Sequence, residues 1–345
     1  MSNSGNSKKI DAFCHIHPRK LLNEYIKLRV PHLLRFVRAD VEQGYEYFTD
    51  DTYRLKYMEK YGIECEILSI SQAGGIWQTL NDEEVAKMAS VANEALFEMC
   101  KKNEGKLIGT SIIPRVYDGF IDEAKRGIED FGFKGIMIYS NMNGLPLDDK
   151  RLYPLYELME RYNLPIFIHP TNWEYYPWIT GYRLHQIFGW PFDTSVAMGR
   201  IVFGGVFSSY PNLKMVIHHG GAMIPFFKDR IAGFYEEAIM HSQIFGAENF
   251  DKIRYRSKEI DKKDIMGFFK KFYIDTVVNG NKEALDLAFS FFDKDKIVFA
   301  TDFPFGPEKG ELWTRETIDC VNRLESENGL NGKIFHENAE ALINI

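Results

Sequence analysis

Two histidines one residue apart, His15 and His17, close a short apolar run that reads Ile-Asp-Ala-Phe-Cys-His-Ile-His-Pro from Ile10 to Pro18. Residues i and i+2 of a strand point to the same face, so the two imidazoles project together. Pro18 stops the strand just beyond them. Two imidazoles on one face at a strand end supply half of a transition-metal site. The same pair also serves as ordinary polar groups in a loop. Later apolar runs end in the same way. His169 closes Ile-Phe-Ile-His, His218 and His219 precede Gly220-Gly221, and Asp302 closes Phe-Ala-Thr-Asp. Five of the nine histidines therefore fall at strand ends. Neutral imidazoles and one carboxylate suit Zn2+ or a similar divalent ion, with a position left for water or substrate. Taken singly, His169 reads as a hydrogen-bonded polar residue and Asp302 as a helix N-cap. Taken together, they read as one metal or catalytic centre.

Such residues meet only if the strands that carry them converge. Eight apolar runs qualify, at 10–16, 64–70, 106–113, 134–139, 165–169, 213–218, 272–276 and 297–302. Helical patterns fill most gaps, at 82–100, 118–130, 154–162, 194–209, 225–240, 281–292 and 311–327. Short apolar strands alternating with helices imply a parallel sheet. Eight repeats in one chain favour a closed α/β architecture, the (β/α)8 TIM barrel, whose sites are built at the strand C-termini. No Gly-x-Gly-x-x-Gly follows the first strand, against a dinucleotide fold. The expected organisation is a disordered tail over 1–9 and a single barrel domain over 10–345. A helical insertion, Arg19 to Tyr61, follows the first strand, and an aromatic-rich loop, Thr171 to Thr194, follows the fifth. That loop carries Trp173, Tyr175, Tyr176, Trp178, Tyr182, Trp190 and Phe192, material for a lid, a pocket wall or a subunit interface.

Composition narrows the partners. The net charge of −7 and the lack of a long basic run argue against nucleic acid. No apolar run is long enough to span a bilayer, and the polar first nine residues are no signal peptide. Four scattered cysteines, none in a C-x-x-C pair, suit a reducing cytoplasm. Cys14 alternates away from the histidine face and reads as packing.

The motifs resemble the amidohydrolase superfamily: His-x-His after strand one, His after strand five, His-x-Gly-x-x-x-Pro after strand six and Asp after strand eight. Within it the chain looks like the branch of aminocarboxymuconate-semialdehyde decarboxylase and the resorcylate-type decarboxylases. The run from Gly189 to Ile231 is the most distinctive part. By this resemblance His15, His17, His169 and Asp302 are the metal ligands, and His219 and Asp302 are the catalytic pair. His219 is preferred to His218 because it lies six residues before Pro225. Arg230 is the candidate for holding the substrate carboxylate, at a neighbouring subunit's site in a homodimer. Arg35, Arg38, Arg54 and Arg183 are further cations that the sequence does not place. Strand four ends in Ile-Tyr-Ser rather than lysine, which favours one metal over two.

The expected reaction is metal-dependent, non-oxidative decarboxylation of an aromatic or conjugated carboxylic acid. The same residues would also serve hydrolysis or hydration of a related small carboxylate. A metal-free binding subunit is the reading of another class. The metal is expected to be Zn2+, with Mn2+ the other option. The first strand leaves one point open. Relatives run Asp-x-His-x-His, whereas here Phe13 stands two residues after Asp11 and His15 stands four after it. Either the pair shifts to His15 and His17, or one ligand is missing, which leaves a metal-free state open as the alternative.

Overall fold

The computed structural model describes residues 8–27, 46–70, 76–171, 179, 181–245 and 264–345. Expectations for the tail 1–7, for Arg35 and Arg38, and for Trp173, Tyr175, Tyr176 and Trp178 lie outside the described residues. Each of the eight apolar runs forms a strand. They are β1 Ile10–His15, β2 Cys65–Ser69, β3 in two pieces (Leu107–Gly109 and Ser111–Ile112), β4 Ile136–Tyr139, β5 Ile166–His169, β6 Met215–Ile217, β7 Tyr273–Asp275 and β8 Ile297–Val298. All ladders between them are parallel.

The barrel closes in two places where regular pairing gives way. Thr110 interrupts β3, so one piece pairs with β2 and the other with β4. Between β8 and β1, single backbone bonds complete the circle: Ala12 N–H to Phe299 O at 2.8 Å, Asp302 N–H to Phe13 O at 3.2 Å, and His15 N–H to Phe303 O at 2.7 Å. The strand interiors are almost wholly buried aliphatic and aromatic side chains, as a parallel sheet covered on both sides requires.

Strand β1 is irregular in a way that matters for the site. Its register against β2 shifts between Asp11 and Cys14, so three steps on β1 face two on β2. This is a β-bulge, which inserts one residue and changes the alternation. Asp11 faces the helical layer, where its carboxylate accepts from Thr301. Phe13, two residues on, faces the barrel interior, with its ring 5.3 Å from that of Phe167.

Helix Asp51–Tyr61 returns from the insertion and locks β1 from outside. Asp50 caps it by accepting from the Thr52 and Tyr53 N–H groups. Arg54, fully buried, donates to Glu66 at 2.8 Å and to the carbonyl of His15, and lies 5.0 Å from the Phe303 ring. Removing one member of such a buried ion pair costs roughly 3–5 kcal/mol. Arg54 is thus structural, and it fixes the backbone of His15. The helix expected over 194–209 starts earlier, at Trp190, and breaks after Phe203, where Gly204 and Gly205 end it and Val206–Ser209 forms a separate turn.

Candidate active site

Four strand ends deliver one donor each to the mouth of the barrel. His15 ends β1, His169 ends β5, His218 follows β6, and Asp302 follows β8. The ligand atoms of His15, His169 and His218 lie within 4.8 Å of one another. The Asp302 Oδ1 atom is 3.1 Å from His15 Nε2 and 3.3 Å from His218 Nε2. All four side chains are buried.

Hydrogen bonds on the far side of each ring decide which nitrogen is bare. Ser69 Oγ donates to Cys14 O at 3.3 Å, so it accepts from His15 Nδ1–H at 2.8 Å. His169 Nδ1–H donates to the Pro170 carbonyl at 2.6 Å. His218 Nδ1–H donates to the carboxylate of Asp275. Each Nε2 therefore faces inward, the arrangement in which a partner on one nitrogen orients the other toward a metal. Among the described residues, His15 Nε2, His218 Nε2 and Asp302 Oδ1 are buried without an aligned hydrogen-bond partner. Such orphaned atoms are costly unless something binds them. Their types and spacing fit one divalent ion, whose neighbouring ligands stand roughly 3–4 Å apart.

The electrostatics agree. Burial lowers the pKa of His15, and burial with the neighbouring histidines lowers that of His169 further, so both are neutral donors. Burial opposes protonation of His218, but Asp275 and Asp302 overcome it and push the pKa up to about 10. Burial also opposes the charge on Asp302, yet His218 and His15 hold it well below the usual carboxylate range.

His219 sits beside this group. Its donor atom lies within 4.8 Å of those of His218 and Asp302. Burial and the charge of His218 push its pKa down to about 3. Backbone strain marks both residues: His219 has φ +62° and Asp302 φ +60°. Gly221 completes the turn after His219, where a Cβ would come within 2.5 Å of the Phe292 ring. Trp190 stacks near His219, with ring centroids 6.2 Å apart and planes 19° apart, and lies 6.0 Å from His169.

The remaining sequence candidates fall elsewhere. His17 lies past the end of β1, where alternation no longer applies. Its N–H donates to Phe48 O at 2.8 Å and its ring stacks on Phe48. Among the described residues, it does not join the donor atoms that lie within 4.8 Å of one another. Arg230 is exposed on helix Ile224–Phe245, 4.7 Å from the Phe234 ring. Arg183 is exposed too. Phe13 faces the site, with its ring 4.4 Å from that of His218 and 5.4 Å from that of His15. Sequence reasoning missed Asp275 and Ser69. Both carried a legible signal, since each is a polar residue at the end of an apolar run.

The chain matches the profile of the amidohydrolase family over residues 12–345. It is 28% identical over 278 residues to 2-amino-3-carboxymuconate-6-semialdehyde decarboxylase of Dictyostelium discoideum, covering 80% of this chain and 72% of that protein. It is 25% identical over 270 residues to gamma-resorcylate decarboxylase of Rhizobium sp. (strain MTP-10005), covering 73% of this chain and 76% of that one. A crystal structure of 5-carboxyvanillate decarboxylase from Novosphingobium aromaticivorans, complexed with manganese and 4-hydroxy-3-methoxy-5-nitrobenzoic acid, superposes with a TM-score of 0.82. The two are 21% identical over 100% of this chain and 98% of that chain, a likeness of fold.

Proposed function

Because this chain belongs to the amidohydrolase family, we propose that it is a metal-dependent, non-oxidative decarboxylase of an aromatic or conjugated carboxylic acid. The observation that carries this reading is the convergence of bare imidazole nitrogens and one carboxylate oxygen at the C-terminal mouth of the barrel. The names of the relatives support the choice of decarboxylation over hydrolysis or hydration.

His15, His169 and Asp302 would hold one divalent ion, Zn2+ or Mn2+. When bound, the ion supplies a positive charge that fixes a substrate oxygen and stabilises negative charge developing on the substrate. In the reaction the carbon–carboxylate bond breaks, its electron pair stays on the carbon, and a proton replaces the departing CO2. His219, neutral and with its Nδ1 lacking a hydrogen-bond partner among the described residues, is placed to take up a proton and return it. Asp302 lies next to it and shares that work. Trp190 offers a flat wall parallel to His219 for a planar substrate.

Arg230 is exposed on helix Ile224–Phe245, so a role as carboxylate holder would belong to a homodimer in which it serves the neighbouring site. Exposed aromatic groups on the same helix support that arrangement, with Phe226 72% and Phe234 56% accessible. All four cysteines are unpaired, which supports a reducing, cytoplasmic setting. No described helix is long and apolar enough to cross a membrane.

A panel of aromatic and conjugated carboxylic acids, assayed for CO2 release with Zn2+- and Mn2+-loaded protein, tests the reading. Release of CO2 with formation of the decarboxylated product is expected. Hydrated or hydrolysed products without CO2 would replace it with the hydrolase reading. Failure to take up any metal would leave the binding-subunit reading.

A further inference from the structure

We propose that His218 is itself a metal ligand in this chain, filling a coordination position that β1 does not supply. This rests on the metal-binding reading above. It goes beyond it by giving His218 and His219 separate tasks.

The bulged β1 strand presents two residues to the barrel interior near the site, Phe13 and His15. A phenyl ring donates nothing to a metal. The Phe13 ring is wedged against the His218 ring at 4.4 Å and stands 6.2 Å from that of His169, filling the floor beneath the donors. Among the described residues, His17 is not in the group of donor atoms that lie within 4.8 Å of one another. β1 therefore contributes one nitrogen. With His169 and Asp302 that makes three donors.

A fourth is already in place. His218 Nε2 is 3.3 Å from Asp302 Oδ1, and its donor atom lies within 4.8 Å of those of His15 and His169. Its ring is gripped on the opposite side. Nδ1–H bonds to Asp275 Oδ2, while Oδ1 of the same carboxylate accepts from Gly220 N–H at 2.9 Å and Val277 N–H at 3.1 Å. An imidazole held by a carboxylate, with the other nitrogen turned to the ion, is a recurrent ligand arrangement. Phe13 on one face and this carboxylate behind leave the ring one direction to point. Proton transfer then falls to His219, the adjacent imidazole, which is partly exposed.

The experiment measures metal affinity and the visible spectrum of Co2+-substituted protein after chelation and reloading. Wild type is expected to bind one ion per chain. His218→Ala should weaken binding at least about 100-fold and change the Co2+ absorption bands. His218→Gln, which keeps more of the volume, guards against a folding defect and should weaken binding in the same direction. Phe13→His should recover binding in the His218→Ala background by returning a nitrogen to the floor. Wild-type affinity and an unchanged spectrum in both folded His218 variants would overturn the inference while leaving the decarboxylase reading intact. Failure of wild type to bind any metal would overturn both. Metal binding that depends on His218, without CO2 release from any acid, would support the ligand assignment and reject the proposed reaction.

Discussion

The buried imidazole of His218 donates through Nδ1 to the buried carboxylate of Asp275, and this bond sets which nitrogen faces Asp302. Asp275→Asn is therefore more informative than a deletion. The amide oxygen can still accept from the Gly220 and Val277 N–H groups, but the amide NH2 then faces Nδ1. His218 must turn acceptor at Nδ1 and carry its proton on Nε2, pointing at Asp302. We expect metal affinity to fall by about 10–100-fold, with a far-ultraviolet circular dichroism spectrum like that of wild type. Unaltered metal affinity would show that Asp275 serves only the turn after β6.

Stability of the metal-free protein should depend on His218 in one direction. Its pKa is raised from 6.5 to about 10. A histidine with a raised folded-state pKa gives stability that is fully present below 6.5 and lost as pH climbs through about 10. Thermal melts of chelated protein between these limits should show Tm falling as pH rises. At pH 8 metal uptake should release about one proton, since ion and proton compete for Nε2. Calorimetry in two buffers of different ionisation enthalpy reads that number directly, and a value of zero would contradict the expectation.

Asp11 gives a second pH effect, away from the site. Burial and the nearby Glu66 push its pKa up from 3.8 to about 7, against hydrogen bonds from Thr301 that favour its charge. Its contribution to stability is complete below 3.8 and is lost as pH rises through about 7. Asp11→Asn imitates the protonated form and can keep the bonds to Thr301. The variant should flatten the dependence of Tm on pH across that interval and be more stable than wild type above it. A variant whose melting curve tracks wild type at every pH would rule this out.

Tyr25 and Trp77 are buried donors with rings 6.3 Å apart. Among the described residues, neither Tyr25 Oη nor Trp77 Nε1 has a partner. Tyr25 neighbours Tyr139, whose ring stands 6.2 Å from that of His169. An unpaired buried hydroxyl costs about 1–3 kcal/mol, so Tyr25→Phe should stabilise the free protein. If the hydroxyl receives a substrate oxygen, KM should also rise about tenfold with kcat less affected. Greater stability with an unchanged KM would assign Tyr25 to packing alone.

The strands were legible because each is a short, wholly apolar run, and buried parallel strands have that pattern. The polar residues that end them were legible for the same reason. His17 was read with a rule that holds only inside a strand, and β1 stops at His15. Choosing between His218 and His219 required knowing where β6 ends. The strand stops at Ile217, His218 continues inward, and His219 enters a left-handed turn. Spacing to Pro225 carries no information about that turn. The inward position of Phe13 was legible, because it stands two residues before His15; the opposite facing of Asp11 requires the bulge, which sequence periodicity does not reveal.

That bulge separates two properties that a regular strand keeps linked. Asp11 anchors β1 to Thr301 in the segment that follows β8, and His15 pairs with Ser69 at the mouth. The extra residue lies between them, where pairing to β2 has already lapsed. A mutation at position 13 can therefore add or remove a donor atom without altering how the barrel closes. The number of protein ligands is thereby open to evolutionary change at a position that pairing to β2 does not constrain.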